Sequence, residues 1–188
     1  MNYDEFFSYF SYNSIVIISY FLVCLLFLVL NIISKDRLNN FLACRRGGVL
    51  NPLFYIRILL SGFCHKDWNH FKNNFLMILL IGPILEEKYG SMNLLYMFLI
   101  TSVVTGIIHI IFSKTGTIGA SDNVFMLVVL CSIVNLTSGK IPITLILILL
   151  FYVVEEVFNL FKRKDGISHD SHIVGAICGF IFGYVIFK

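Results

Sequence analysis

The chain has 188 residues, of which 58% are hydrophobic and only 13% are charged, and its formal net charge at pH 7 is +3. Soluble domains carry roughly 45–50% apolar and about 25% charged residues. A water-soluble fold of this size could not cover so much apolar surface. The composition therefore excludes an ordinary soluble domain and predicts an integral membrane protein. The positive charge is too small and scattered to indicate nucleic acid as a partner.

Six apolar stretches have about the length that a helix needs to cross a hydrocarbon core roughly 30 Å thick. Backbone amides in lipid must be satisfied within their own segment, so these stretches are predicted to be helices and not strands. We predict one all-α membrane domain over residues 1–188. Its six transmembrane helices cover residues 14–33, 69–89, 92–112, 120–136, 141–160 and 172–187.

The connection between the first two predicted helices, residues 34–68, is much longer than the others. Connections of this length are usually either functional or disordered. Aromatic and aliphatic residues are frequent in this one, which favours an ordered loop. We therefore predict a loop that is partly embedded in the membrane.

The cysteines give no sign of a structural framework or a metal centre. There are five of them, an odd number, widely spaced along the chain, and three lie in apolar runs where a thiol usually behaves as a small hydrophobic group. Because no pair has the spacing of metal ligands, we expect no disulfide framework, no zinc site and no cofactor.

Polar residues gather at the starts of three predicted helices. Successive transmembrane helices alternate in direction, so the second, fourth and sixth run the same way and begin on the same side. Those starts carry His70 and Asn74, Ser121, and His172 respectively. Ionisable residues within a membrane usually face the protein interior and mark a functional site.

A glycine stripe on the last predicted helix indicates close helix packing. Gly175, Gly179 and Gly183 recur every fourth residue and share one face, as small residues do where membrane helices approach closely. His172 lies on the same side. Packing of this helix against the fourth would bring His172 within reach of Ser121, and a serine nucleophile requires such a base.

These residues resemble the motifs of the rhomboid intramembrane proteases. The matching stretches occur in the expected order between residues 57 and 183, about two-thirds of the chain. They are Gly119-Ala120-Ser121 with Asn123 to Phe125, His172 to Gly175 with Gly179, His65 to His70 with Asn74, and Leu85-Glu86 with Tyr89-Gly90. The resemblance implies a rhomboid-like helical bundle.

The resemblance also implies a role for each matching residue. Ser121 would be the nucleophile and His172 the general base, in a dyad without a third acid. His70, Asn74 and the backbone amide of Ser121 would form the oxyanion hole. The helices would pack near the site through Gly119, Gly175 and Gly179.

The activity implied is that of a serine endopeptidase that cuts peptide bonds in or near transmembrane segments of other membrane proteins. Its partners would be such substrates and the lipid bilayer. Residues 141–160 and 161–171 would form the substrate entrance and cap. The protein would be a multi-pass protein of a cell membrane, in the manner of the six-helix bacterial members.

Asp122 departs from the family pattern, which usually has glycine after the nucleophile. An ionised carboxylate there would oppose the developing oxyanion, unless the side chain points away from the cavity. This departure leaves open a second function, a non-catalytic rhomboid-like protein that binds transmembrane clients. A small transporter or channel would instead predict a polar path across the whole bilayer, whereas the polar residues gather near one side.

The orientation in the membrane stays open on sequence grounds. Eleven of the 14 lysines and arginines lie on the predicted active-site side. The positive-inside rule would place that side in the cytoplasm, whereas the bacterial proteins that this chain resembles generally place it outside.

Other polar residues favour structural interpretations. His109 lies inside the third predicted helix and is expected to be a satisfied interior histidine. Glu86 is expected to tie down the end of the second helix. His65 and His169 are predicted to be loop residues, and Asp170 is expected to face away from the site because it lies two positions from His172.

Overall fold

The structure, a computed structural model, describes residues 14–47, 50–113, 115–133, 141, 143–162 and 168–186. Within these residues the backbone forms nine α-helices. A 3₁₀ turn, Ser61–Phe63, follows α3, and a π-helical segment, Leu149–Val153, joins α7 to α8. The helices are α1 Ile15–Ile33, α2 Arg37–Leu42, α3 Pro52–Leu60, α4 Trp68–Tyr89, α5 Ser91–Phe112, α6 Ser121–Ile133, α7 Ile143–Ile148, α8 Val154–Lys162 and α9 His169–Ile186.

The all-α prediction is confirmed for the part of the chain that the structure describes. In that part, the β-type pairing consists of a single isolated bridge between Cys44 and Thr117. Two helices, α1 and α5, are long and apolar enough to cross a membrane by length and composition. Three predictions stay untested: that six helices cross the membrane, that the chain is a single domain, and that residues 34–68 are partly embedded in the membrane. That loop contains α2 and α3.

Helix α9 begins three residues before the predicted start. His169, Asp170 and Ser171 form its first turn, although they are too polar to be recognised as part of an apolar helix. The prediction that His169 is a loop residue is therefore wrong. A hydropathy pattern finds the apolar length of a helix and misses a polar first turn.

Glu86 joins the end of α4 to the start of α1. Its side chain is buried and accepts hydrogen bonds from the backbone amides of Val16 at 2.9 Å and Ile17 at 3.0 Å, and from the hydroxyl of Ser91 at 2.7 Å. Ser14, the residue before α1, gives no side-chain cap. Helix starts leave backbone amides unsatisfied and favour negative charge. Glu86 therefore supplies the missing cap from another helix, which confirms its expected structural role.

Replacing Glu86 by glutamine is expected to lower thermal stability. The amide removes the charge and turns one acceptor into a donor that faces other donors, which should cost about 2–3 kcal/mol. Thermal unfolding in detergent would measure the loss. Glu87→Gln is the matched control because Glu87 is exposed on the next position of the same helix. Equal melting temperatures for the two variants would contradict the capping role.

The glycine stripe places α9 directly against α6. A Cβ atom added to Gly175 would overlap the carbonyl oxygen of Asp122, and one added to Gly179 would overlap that of Met126. The contact advances by four residues along each helix in the same direction, so α6 and α9 are parallel. The prediction that their starts lie on the same side is confirmed, and glycine is required because the two backbones touch.

His65 lies in a closed apolar setting just before α4. It is fully buried, its Nδ1 lies 3.3 Å from the Phe63 carbonyl oxygen, and its Nε2 has no hydrogen-bond partner in the described ranges. Burial, together with the neighbouring His70, lowers the pKa of His65 from 6.5 to about 4. A proton on this ring is therefore disfavoured in the folded protein.

Acidification is accordingly expected to destabilise the fold through His65. The unfolded chain binds the proton near pH 6.5 and the folded chain only near pH 4, so stability falls as the pH drops between these values. The contribution lost at pH 5 is about 2 kcal/mol. Melting temperatures at pH 7.5 and pH 5 for wild type and His65→Gln would measure it. An equal pH dependence in both proteins would refute this assignment.

Candidate active site

The segment before α6 is fixed by backbone contacts with the long loop. Cys44 and Thr117 exchange two backbone hydrogen bonds, of 2.9 and 3.0 Å, and the amide of Gly119 donates to the carbonyl of Ser61 at 3.1 Å. Gly119 has φ of +119°, a conformation that side chains other than hydrogen rarely allow. This turn sets the position at which α6 begins, and Ser121 is its first residue.

His70 and Asn74 lie against this turn, one helical turn apart on α4. A Cβ built on Gly119 would lie 2.6 Å from Cε1 and 2.9 Å from Nε2 of His70, and 3.8 Å from the amide nitrogen of Asn74. Glycine is therefore needed at position 119 for its backbone conformation and to make room for the imidazole. The structure brings these three predicted residues together beside Ser121.

Both α4 side chains direct hydrogen-bond donors to this region. The amide nitrogen of Asn74 is buried and has no hydrogen-bond partner among the described residues, an uncommon condition for a buried donor. Asp67 accepts from the backbone of His70 at 2.8 Å and caps α4. The Lys66 amide donates to Nδ1 of His70 at 3.4 Å. In the neutral ring the proton is then on Nε2, the nitrogen nearer Gly119.

His172 lies in the first turn of α9 and stacks on α6. Its ring lies 4.4 Å from that of Phe125, at an interplanar angle of 11°. Phe125 is four residues after Ser121 on the same face of α6, so the imidazole lies beside the face that carries the serine. Within the described residues no hydrogen bond joins Ser121 to His172. Catalytic hydrogen bonds are often long in unliganded proteins and shorten when substrate binds.

One acid that the sequence analysis did not identify lies against His172. Oε2 of Glu156 on α8 is 2.9 Å from Nδ1 of His172. The dyad implied by the resemblance has no third acid, and Glu156 was missed. The sequence did contain a sign of its importance, because an acidic residue within a predicted transmembrane helix, here 141–160, is by itself a candidate functional residue.

Asp122 is buried, and its side chain caps its own helix. Oδ1 accepts from the amide of Asn123 at 2.8 Å, and the residue is 5% exposed. It lines a cavity of about 20 Å³ with Ser121, Thr105 of α5 and Ser171 of α9. The carboxylate thus lies between α5, α6 and α9, whereas His70 and Asn74 approach from α4.

The remaining polar predictions have clear outcomes. His109 is buried, and its ring nitrogens lie 2.7 Å from Oδ2 of Asp170 and 3.0 Å from the carbonyl of Thr115. It is the satisfied interior histidine that was predicted. Asp170 faces α5 and not His172, as predicted, and it provides the partner that the sequence did not identify.

The fold and site together define a helical, membrane-type protein with a polar site at the starts of three helices. A family model described as Rhomboid domain matches residues 53–188, more than half of the chain. The chain belongs to the rhomboid family.

Two relatives show how far the similarity extends. The chain is 26% identical over 152 residues to "Rhomboid-like protein 11, chloroplastic" of Arabidopsis thaliana, covering 73% of this chain and 54% of that protein. It is 28% identical over 135 residues to "Rhomboid-related protein 1" of Caenorhabditis elegans, covering 66% and 38% respectively. The chain thus spans about half or less of the length of these relatives.

Proposed function

We propose that this protein is an intramembrane serine endopeptidase that hydrolyses peptide bonds in or near transmembrane segments of other membrane proteins. The observation that carries the proposal is the convergence of four groups at the start of α6. Ser121 begins the helix, the imidazole of His172 stacks one turn along it, and the donors of His70 and Asn74 border the turn before it. The side-chain amide nitrogen of Asn74 is a buried donor without a partner among the described residues, which supports a role in binding a negatively charged oxygen.

In the proposed reaction His172 takes the proton of the Ser121 hydroxyl as the oxygen attacks the substrate carbonyl. The developing oxyanion accepts hydrogen bonds from Nε2–H of His70, the amide of Asn74 and the backbone N–H of Ser121. His172 then gives its proton to the departing amine. Water hydrolyses the acyl-enzyme by the same path in reverse. The Glu156 carboxylate beside Nδ1 favours the imidazolium that forms during each step.

The substrate class follows from the setting of the site. Rhomboid-family membership and the two long apolar helices support a site that a substrate approaches through lipid. A substrate helix must unwind before its backbone can reach Ser121. The proposed substrates are therefore single-span membrane proteins. Residues 141–160 and 161–171 are proposed as entrance and cap, and of these, residues 142 and 163–167 lie outside the described part of the chain. The proposed location of the protein is a bacterial cell membrane.

Labelling of the detergent-solubilised protein with a fluorophosphonate probe tests the proposal. Such probes react with a serine only when a base activates it. We expect covalent labelling of wild type and none of Ser121→Ala. Ser132→Ala is the matched control, since Ser132 is a buried serine in the same helix that donates to the Val129 carbonyl. An unlabelled wild type that also fails to cut a single-span substrate in vesicles would contradict the proposal.

The second candidate is a rhomboid-like protein that binds transmembrane clients without cutting them. The buried carboxylate of Asp122 next to Ser121 favours it, because an ionised acid there would oppose the oxyanion. The hydrogen bond that the Asp122 carboxylate accepts from the backbone amide of Asn123 favours catalysis instead, because it engages the acid within its own helix.

Replacing Asp122 by glycine is expected to preserve or increase the cleavage rate. The substitution removes a negative charge close to the site and leaves the α6–α9 contact at the Asp122 carbonyl in place. Cleavage rates of a single-span substrate would measure the effect. Labelling that is absent in wild type and appears in Asp122→Gly would favour the binding protein. A large loss of activity would assign Asp122 a positive role.

A further inference from the structure

Three side chains of the metal-binding kind meet where α8 passes the start of α9. Oε2 of Glu156 lies 2.5 Å from Nδ1 of His169 and 2.9 Å from Nδ1 of His172. All three ligand atoms lie within 4.8 Å of one another. The two histidines are three residues apart on α9 and so share one helix face. The cysteine spacing that excluded zinc in the sequence does not bear on this cluster.

The ligand types and separations fit one borderline divalent ion. Two imidazoles and one carboxylate are a set that zinc uses when it keeps an open position, with bond lengths of about 2.0–2.2 Å. Two ligand atoms of one tetrahedral ion therefore lie roughly 3.3–3.6 Å apart. Small rotations of the Glu156 and histidine side chains would bring the three atoms to such distances. Hard cations such as Mg²⁺ prefer oxygen ligands and fit the cluster poorly.

The hydrogen bonding of His172 leaves a ligand atom available. Although Oε2 of Glu156 is 2.9 Å from Nδ1, this nitrogen is buried and makes no hydrogen bond of normal geometry within the part of the chain that the structure describes. The carboxylate is thus near the ring nitrogen but out of line with it. An ion between the two groups would satisfy both, and the side chains of His172 and Glu156 keep 13% and 16% exposure, which leaves an entry path.

We propose that Glu156, His169 and His172 form an inhibitory site for a divalent transition-metal ion, best fitted by Zn²⁺. A metal on Nδ1 of His172 leaves the single proton of the neutral ring on Nε2. That nitrogen then has no lone pair with which to accept the Ser121 proton. Metal binding itself is independent of the proposed proteolysis, whereas the inhibition rests on it.

The test uses full-length protein in detergent, freed of any affinity tag and of metal by EDTA and dialysis. Calorimetric titration with Zn²⁺ is expected to show saturable binding of one equivalent, and Co²⁺ is expected to give the visible absorption bands of a tetrahedral site. His169→Ala and the milder His169→Gln should each weaken Zn²⁺ binding at least tenfold. His65→Gln, which changes a buried histidine outside the cluster, should leave binding unchanged, and Mg²⁺ should not compete.

Fluorophosphonate labelling with and without Zn²⁺ tests the inhibitory effect. Zn²⁺ should suppress labelling of wild type, EDTA should restore it, and His169→Ala should be labelled equally in both conditions. No saturable binding, or binding that both His169 variants retain, would overturn the site. Binding without suppression would overturn the inhibition alone. Specific binding by a wild type that stays unlabelled in EDTA would support the metal site and contradict the proposed protease.

Discussion

Ser121→Ala and His172→Ala are each expected to abolish proteolysis, and the double variant is expected to be no worse than either single one. A serine hydroxyl is a poor nucleophile without its base, and without the hydroxyl the base has no proton to accept. The two residues therefore act as a unit. Each single loss should lower kcat/KM on the order of 10⁴-fold or more. Hydrolysis of a single-span substrate in vesicles, with purified variants, would measure these rates.

The controls separate lost chemistry from lost structure. Ser132→Ala removes a hydroxyl from the same helix and should retain nearly full activity. Thermal unfolding should show that Ser121→Ala and His172→Ala remain folded, although His172→Ala loses its stacking on Phe125. A His172→Ala protein with near-normal rates would refute its role as general base. If the activity losses of the two single variants multiplied in the double variant, Ser121 and His172 would act independently, which would contradict this prediction.

Asn74→Ala is expected to lower kcat about 10²–10³-fold with little change in KM. One donor to an oxyanion typically contributes this much, and it does so only once negative charge develops on the carbonyl oxygen. Asn74 fits this role because its amide nitrogen is buried, unpartnered and close to the turn before Ser121. Loss of that nitrogen therefore breaks no hydrogen bond among the described residues, and its effect should appear in the reaction.

Asn73→Ala provides the matched control for this prediction. Asn73 is the preceding residue of α4 and is exposed, so its loss should change neither kcat nor stability appreciably. His70→Ala should resemble Asn74→Ala in kcat. An Asn74→Ala protein that loses affinity or stability while keeping kcat would show that the side chain packs helices and stabilises no oxyanion.

Much of the architecture could be predicted from local chemistry. Composition identified a membrane-type protein, and hydropathy located the long helices to within a few residues at most described ends. The directions of α6 and α9 followed from alternation, and the glycine stripe identified their contact. The family motifs were readable because each is a short run of residues around one helix start. These features depend on neighbours along the chain, which a sequence displays directly.

The tertiary structure alone decided which groups surround each site residue. Glu86 caps α1 from 69 residues away, and His109 pairs with Asp170 from 61 residues away. Glu156 comes to His172 from another helix, although neither spacing nor periodicity links the two. The sequence by itself determined the helical membrane class, the family and the residues at the helix starts. Contacts between distant residues arise only when helices pack in three dimensions, and so the acid beside His172 and the side of α6 on which Asp122 lies required the folded structure.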